Sequence, residues 1–224
     1  MFIFKRRDLF TMLNELRAGT LSSVKIMEEV VERSMASQKT PIPMEYFAHQ
    51  DFATMLDEAF KADDNYHKGV NRRLEGLPIA VKDNIDVLDL KGAPMTAGTS
   101  SLVSHTSKFE GSLWQHKMRH NGVIMAGRTT MPELSLGTVT KNSFYGSPKS
   151  AFDKTRTSGG SSGGSGGAVG AGVVPVALGT DTSGGIRIPA ACNGVVGYRP
   201  TINRWPSDFG MKISPTFDSI GPIT

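Results

Sequence analysis

The chain has 224 residues, 38% of them hydrophobic, and its 25 Lys+Arg against 21 Asp+Glu leave a net charge of +4. That supplies enough apolar material for one large or two small domains, while the densest basic run, Lys5-Arg6-Arg7, is too short to form a nucleic-acid surface. The single cysteine, Cys192, excludes an intrachain disulfide, and no stretch approaches the ~20 apolar residues of a membrane helix. Residues 8–15, after Arg6-Arg7, are amphipathic and charged rather than an apolar leader. These features point to a cytoplasmic protein with no membrane and no nucleic-acid partner.

In chain order, Leu9, Met12, Leu13 and Leu16 repeat at helical spacing. Gly19 breaks the run, and Ser22 or Ser23 can cap a second helix carrying Val24, Met27, Val30 and Val31. Helix is therefore expected over 8–36, loop over 37–47 and helix again over 51–68. Residues 1–70 thus form an N-terminal helical segment, and 71–224 form the rest of one domain. Leu77 to Val81 is a short apolar run ending at Lys82-Asp83-Asn84, the pattern of a buried strand meeting a polar loop. A helix at 111–120 and a strand at 122–127 continue an α/β alternation. A helix is expected to start within 158–167 and run to Ala171, followed by a strand at 173–178 and a loop at 179–185.

Ser158 to Gly167 is built of serine and glycine alone. A flexible linker has this composition, but linkers are not normally followed at once by an apolar strand. A phosphate cradle lacks support, because neither the Gly-Lys-Ser/Thr pattern nor G-x-G-x-x-G occurs here. A nucleophile elbow matches twice, at Gly160–Gly164 and Gly163–Gly167, yet it needs a histidine downstream. All five histidines (His49, His67, His105, His116, His120) lie upstream, which also disfavours Cys192 as a papain-like nucleophile. No C-x-x-C or H-E-x-x-H spacing supports a zinc site. A nucleophilic serine here would need another base, and a lysine serves if burial lowers its pKa. Lys82, at the end of an apolar run, is the candidate; the alternative is a solvated strand-end lysine.

Gly76 to Asn84 resembles the lysine motif of the amidase signature family, and Gly159 to Gly164 is similar to that family's central serine motif. Gly179-Thr180-Asp181-Thr182 and Ile186 to Ala190 flank what resembles its nucleophile loop, with Thr96 to Thr99 and Met131 to Leu134 as supporting pieces. The likeness runs from about Leu9 to Thr224. It implies an α/β fold with a central mixed β-sheet flanked by helices. It also implies hydrolysis of amide C–N bonds by a Ser-Ser-Lys mechanism without metal or cofactor. By resemblance, Lys82 is the general base and Ser161 the bridging serine, preceded in the family by a cis peptide bond. The backbone N–H groups of Thr182, Ser183, Gly184 and Gly185 would form the oxyanion hole. The tail around Val195–Thr201, Arg204–Pro206 and Ile213–Asp218 resembles the indoleacetamide and mandelamide hydrolase branch, implying a small aryl-acetamide substrate.

Two departures stand out. The family loop reads Asp-Thr-Gly-Gly-Ser, whereas this chain reads Asp181-Thr182-Ser183-Gly184-Gly185. Gly185 therefore occupies the nucleophile position, and Ser183 sits two residues early, a displacement of several ångströms. A misplacement of even ~1 Å can cost on the order of 100-fold in rate. The second departure is that Thr224 lies mid-domain in the family, where a C-terminal half goes on to complete the sheet and pocket. Open sheet edges and exposed apolar surface are expected without it. Three functions follow: an amide hydrolase with Ser183 in a rearranged loop, an inactive fragment or pseudoenzyme, or a glutaminase-type subunit of a tRNA-dependent amidotransferase. Asp181 and Arg187 are read as partners bracing the loop, Trp205 as packing, and Glu133 as a helix-entry residue beside Pro132.

Overall fold

The computed structural model describes residues 3–87, 94–105, 111, 113–206, 208 and 210–224. Helix α1 (Leu9–Arg17) starts where the Asp8 carboxylate accepts the Thr11 N–H, and α2 (Ser23–Gln38) where Ser22 Oγ accepts the Lys25 N–H. Of the two expected caps, Ser22 is therefore the one used. Strand β1 (Phe47–His49) follows, then α3 (Phe52–His67), capped by Asp51. Strands β2 (Pro78–Lys82) and β3 (Ile124–Thr129) lie within two residues of the expected ones. Helix α4 (Gly163–Gly170), strand β4 (Ala177–Asp181), helix α5 (Arg187–Cys192) and strand β5 (Ser219–Ile223) complete the described elements.

The five strands make one mixed sheet in the order β1-β3-β2-β4-β5, with β2 parallel to β3 and β4 and both edge strands antiparallel. Alternation along β2 sends Ile79 and Val81 into one apolar cluster with Trp114, Met125 and Leu178. Ala80 joins the other, larger cluster with Met27, Met55, Ala168 and Ala177. Lys82 comes two residues after Ala80, so it continues that second face toward α4. Among the described residues, no helix is long and apolar enough to cross a membrane.

The Gly/Ser run is core, not linker. Every residue of α4 is buried. A Cβ on Gly164 would stand 2.4 Å from both Thr130 N and Tyr46 O, and one on Gly167 would stand 2.3 Å from the Tyr46 ring. Glycine is what lets this helix press against the segment after β3.

Three expectations are corrected. The strand expected at 173–178 begins at Ala177 and runs to Asp181, into the expected loop. Pro175 has no N–H for a ladder, and Val173 and Val174 are buried from within a turn. The helix expected at 111–120 is a π turn over Trp114–Met118 and a 3₁₀ turn over Arg119–Asn121, ended by Gly122 at φ 89°; residue 112 lies outside the described residues. The short strands at 47–49 and 219–223 add to the expected elements; Pro222 fits because on an edge strand proline loses only an outward bond. The sheet edge at β5 is closed at its 222–224 end, where Val196 N–H donates to Thr224 O at 2.7 Å and Tyr198 N–H to Pro222 O at 3.0 Å. Exposed apolar surface is found: Val196, Tyr198 and Phe217 are each more than half exposed.

Candidate active site

Lys82 ends β2 with its side chain fully buried. Its Nζ lies 2.7 Å from Ser161 Oγ and 2.8 Å from Thr180 Oγ1. Burial lowers its pKa to about 7, an effect that Asp181 and Asp218 oppose through their negative charge without cancelling. The solvated-lysine alternative is thereby overturned: the apolar run that precedes Lys82 carries it into the interior. Asn84 Nδ2 donates to Thr180 Oγ1 at 3.1 Å, so the threonine hydroxyl is held between the amide and the lysine. Asp83, between them in sequence, turns the other way. It accepts a short bond from Thr96 Oγ1 and the backbone N–H groups of Thr96 and Gly98, both at 3.2 Å. The Thr96–Thr99 motif is thus tied directly to the lysine motif.

Ser161 stands just before α4, after a cis Gly160–Ser161 peptide bond. The Ser135 hydroxyl, reached from a turn with Leu134 and Ser135 both at positive φ, donates to Ser161 Oγ at 3.5 Å. Glu133 is exposed and opens that 3₁₀ turn, as its helix-entry reading holds.

The loop 181–187 is clamped by Asp181, whose carboxylate is fully buried. It accepts the Gly184 N–H at 2.8 Å and the Ile186 N–H at 3.2 Å, and Arg187 grips both of its oxygens at 3.0 Å. Arg199 adds a third cationic contact at 3.4 Å. These partners hold the Asp181 pKa below the ordinary carboxylate value against the opposing pull of desolvation, the largest single effect. Asp181 and Arg187 do brace the loop. Trp205 is packing: it is partly buried against the Ile79–Val81 cluster.

Ser135, Ser161, Thr182, Ser183 and Gly185 line one cleft of about 130 Å³. Ser183 is exposed, whereas Gly185 is buried. A Cβ on Gly185 would lie 2.8 Å from Ser161 Oγ and 2.4 Å from Thr180 O. Of the four expected oxyanion donors, Gly184 is set apart, because its N–H is committed to Asp181. The N–H groups of Thr182, Ser183 and Gly185 have no acceptor among the described residues. Sequence reasoning gave no site role to Thr180, Asn84 or Ser135. Thr180 and Asn84 stood inside quoted motifs, and Ser135 directly follows one, so adjacency was the available signal. Among the described residues, no group of three His, Cys, Asp or Glu is placed to hold a metal.

Residues 27–224 match the family model for amidase. The chain belongs to the amidase family. It is 43% identical over 183 residues to mandelamide hydrolase of Pseudomonas putida, covering 79% of this chain and 35% of that protein. It is 37% identical to a subunit of the glutamyl-tRNA(Gln) amidotransferase of Lacticaseibacillus casei (strain BL23), covering 94% of this chain and 42% of that one. The crystal structure of native peptide amidase from Stenotrophomonas maltophilia superposes with a TM-score of 0.89 at 27% identity, over 100% of this chain and 46% of that chain. This amidase-family chain therefore spans less than half the length of these relatives.

Proposed function

We propose that this amidase-family chain carries the proton-transfer half of an amide hydrolase acting on C–N bonds of small amides, aryl-acetamides among them. The observation that carries the reading is the fully buried Lys82, with a pKa near neutrality, in direct contact with Ser161. A neutral lysine takes a proton from a serine hydroxyl, the serine oxygen attacks the amide carbonyl, and the protonated lysine returns the proton to the departing amine. The free N–H groups of Thr182, Ser183 and Gly185 are suited to the negative oxygen that develops. The serine hydroxyls lining the cleft are those of Ser135, Ser161 and Ser183, and the nucleophile is sought among them. The likeness to mandelamide hydrolase supports an aryl-acetamide substrate.

Ammonia release from mandelamide, indoleacetamide and glutamine tests the reading. Release from the aryl-acetamides supports it. Release from glutamine alone supports the second reading, one component of an amidotransferase working with partner chains, which the likeness to the glutamyl-tRNA(Gln) amidotransferase favours. No release from a folded chain supports the third, an inactive module, which Gly185 favours. We place the protein in the cytoplasm as part of the same proposal, without cofactor, membrane or nucleic-acid contact of its own.

A further inference from the structure

We propose that Ser161 is itself the nucleophile of this chain, working with Lys82 as a serine–lysine dyad rather than passing a proton to a third residue. The inference rests on the amide-hydrolase reading above and assigns its attacking atom. Position 185 is where a side chain would reach Ser161, and it holds glycine. Ser183 does not take its place. Asp181 pins the Gly184 and Ile186 N–H groups, two arginines hold Asp181, and the Ser162 N–H donates to Gly185 O at 3.1 Å. Moving Ser183 inward by two residues would break that set of bonds. Ser161 needs no movement. Its Oγ is 2.7 Å from Lys82 Nζ and borders the cleft, with no side chain at 185 to screen it. Lys82 Nζ donates to both Ser161 Oγ and Thr180 Oγ1, the latter itself fixed by Asn84, and in its neutral form the amine keeps a lone pair at hydrogen-bond distance to accept the Ser161 proton.

The chemistry balances without a further reactant. The Ser161 hydroxyl proton passes to Lys82 Nζ as the Oγ–carbonyl carbon bond forms. The tetrahedral oxyanion collapses, the C–N bond breaks, and the Lys82 proton leaves on the amine. Water, deprotonated by Lys82, then cleaves the Ser161 ester; the acid departs and the proton returns to Ser161 Oγ.

The test is fluorophosphonate labelling of the full chain, with peptide mapping and circular dichroism of every variant. The expected result is one adduct, on Ser161, retained in Ser183→Ala and slowed at least about 100-fold in Lys82→Ala, in line with a lost general base. An adduct on Ser183, label surviving Ser161→Ala, or no adduct on the folded chain would overturn the dyad. Ammonia release measured in parallel separates the two claims. Release persisting in Ser161→Ala keeps amide hydrolysis and removes the dyad, while no release and no adduct removes both.

Discussion

The two sides of the cleft are built differently. On one side, Lys82, Asn84, Thr180 and Ser161 are buried, mutually hydrogen-bonded and seated on strand ends and a helix start. On the other, residues 182–185 form a loop held from behind by one buried carboxylate, with Ser183 turned to solvent. The first side holds the lysine and serine motifs that resemble the family's, and the second holds glycine at position 185, where the resembling pattern has serine. A buried polar network tolerates little change, because each member left unpaired costs about 1–3 kcal/mol. A loop residue that pairs with nothing is free of that constraint.

Lys82→Ala strikes the buried side hardest. Any amide hydrolysis or serine labelling is expected to fall by about 100- to 10,000-fold, the range for a general base, read as a labelling rate. Unchanged labelling would place the base elsewhere. Next comes Gly164→Ala, also on the buried side. Its Cβ would meet backbone at 2.4 Å, and a loss of about 3 kcal/mol is expected in a urea melt, at the upper end for overpacking. Asp181→Asn loosens the loop side: about 2 kcal/mol is expected, less than for a wholly buried pair because Arg187 is half exposed. A melt within 0.5 kcal/mol of the parent, the usual range for inert surface changes, would deny the clamp.

The pH dependence separates the two sides further. Lys82 sheds its proton near pH 7 when folded and near 10.5 when unfolded, so labelling should rise through about pH 7 as the base form appears. Between those values the unfolded chain binds the extra proton, so the part of the stability due to Lys82 increases with pH. Lys82→Met should flatten that part of the profile; an unchanged slope would mean the lysine is not buried in solution. The smallest effect belongs to Ser183→Ala, expected to leave stability within about 0.5 kcal/mol. A large loss of stability there would show that the exposed loop serine has a structural bond.

Much of the fold was legible. Helical periodicity, the cap at Ser22 and the apolar run before Lys82 located five elements to within a few residues. What escaped was short or dependent on long-range pairing. Three residues at 47–49 become a strand only because β3 offers an edge, and 219–223 does so only against β4. The misplaced start of β4 has the same origin: Val173 to Val176 is as apolar as a strand, but the ladder begins after Pro175.

By itself the sequence determined the kinds of chemistry on offer, because motif identity and spacing are local. It placed a lysine after an apolar run, a serine in a glycine-rich turn, and a glycine where the resembling loop pattern has a serine. Only the tertiary structure decided what those residues can do. The Lys82 pKa falls toward neutrality because the packed sheet removes water from it, and that depends on strands and a helix distant in sequence. The Gly184 N–H is set apart from those of its neighbours because the Asp181 carboxylate accepts it at 2.8 Å. Ser161 meets Lys82 because two segments 79 residues apart converge on one strand end.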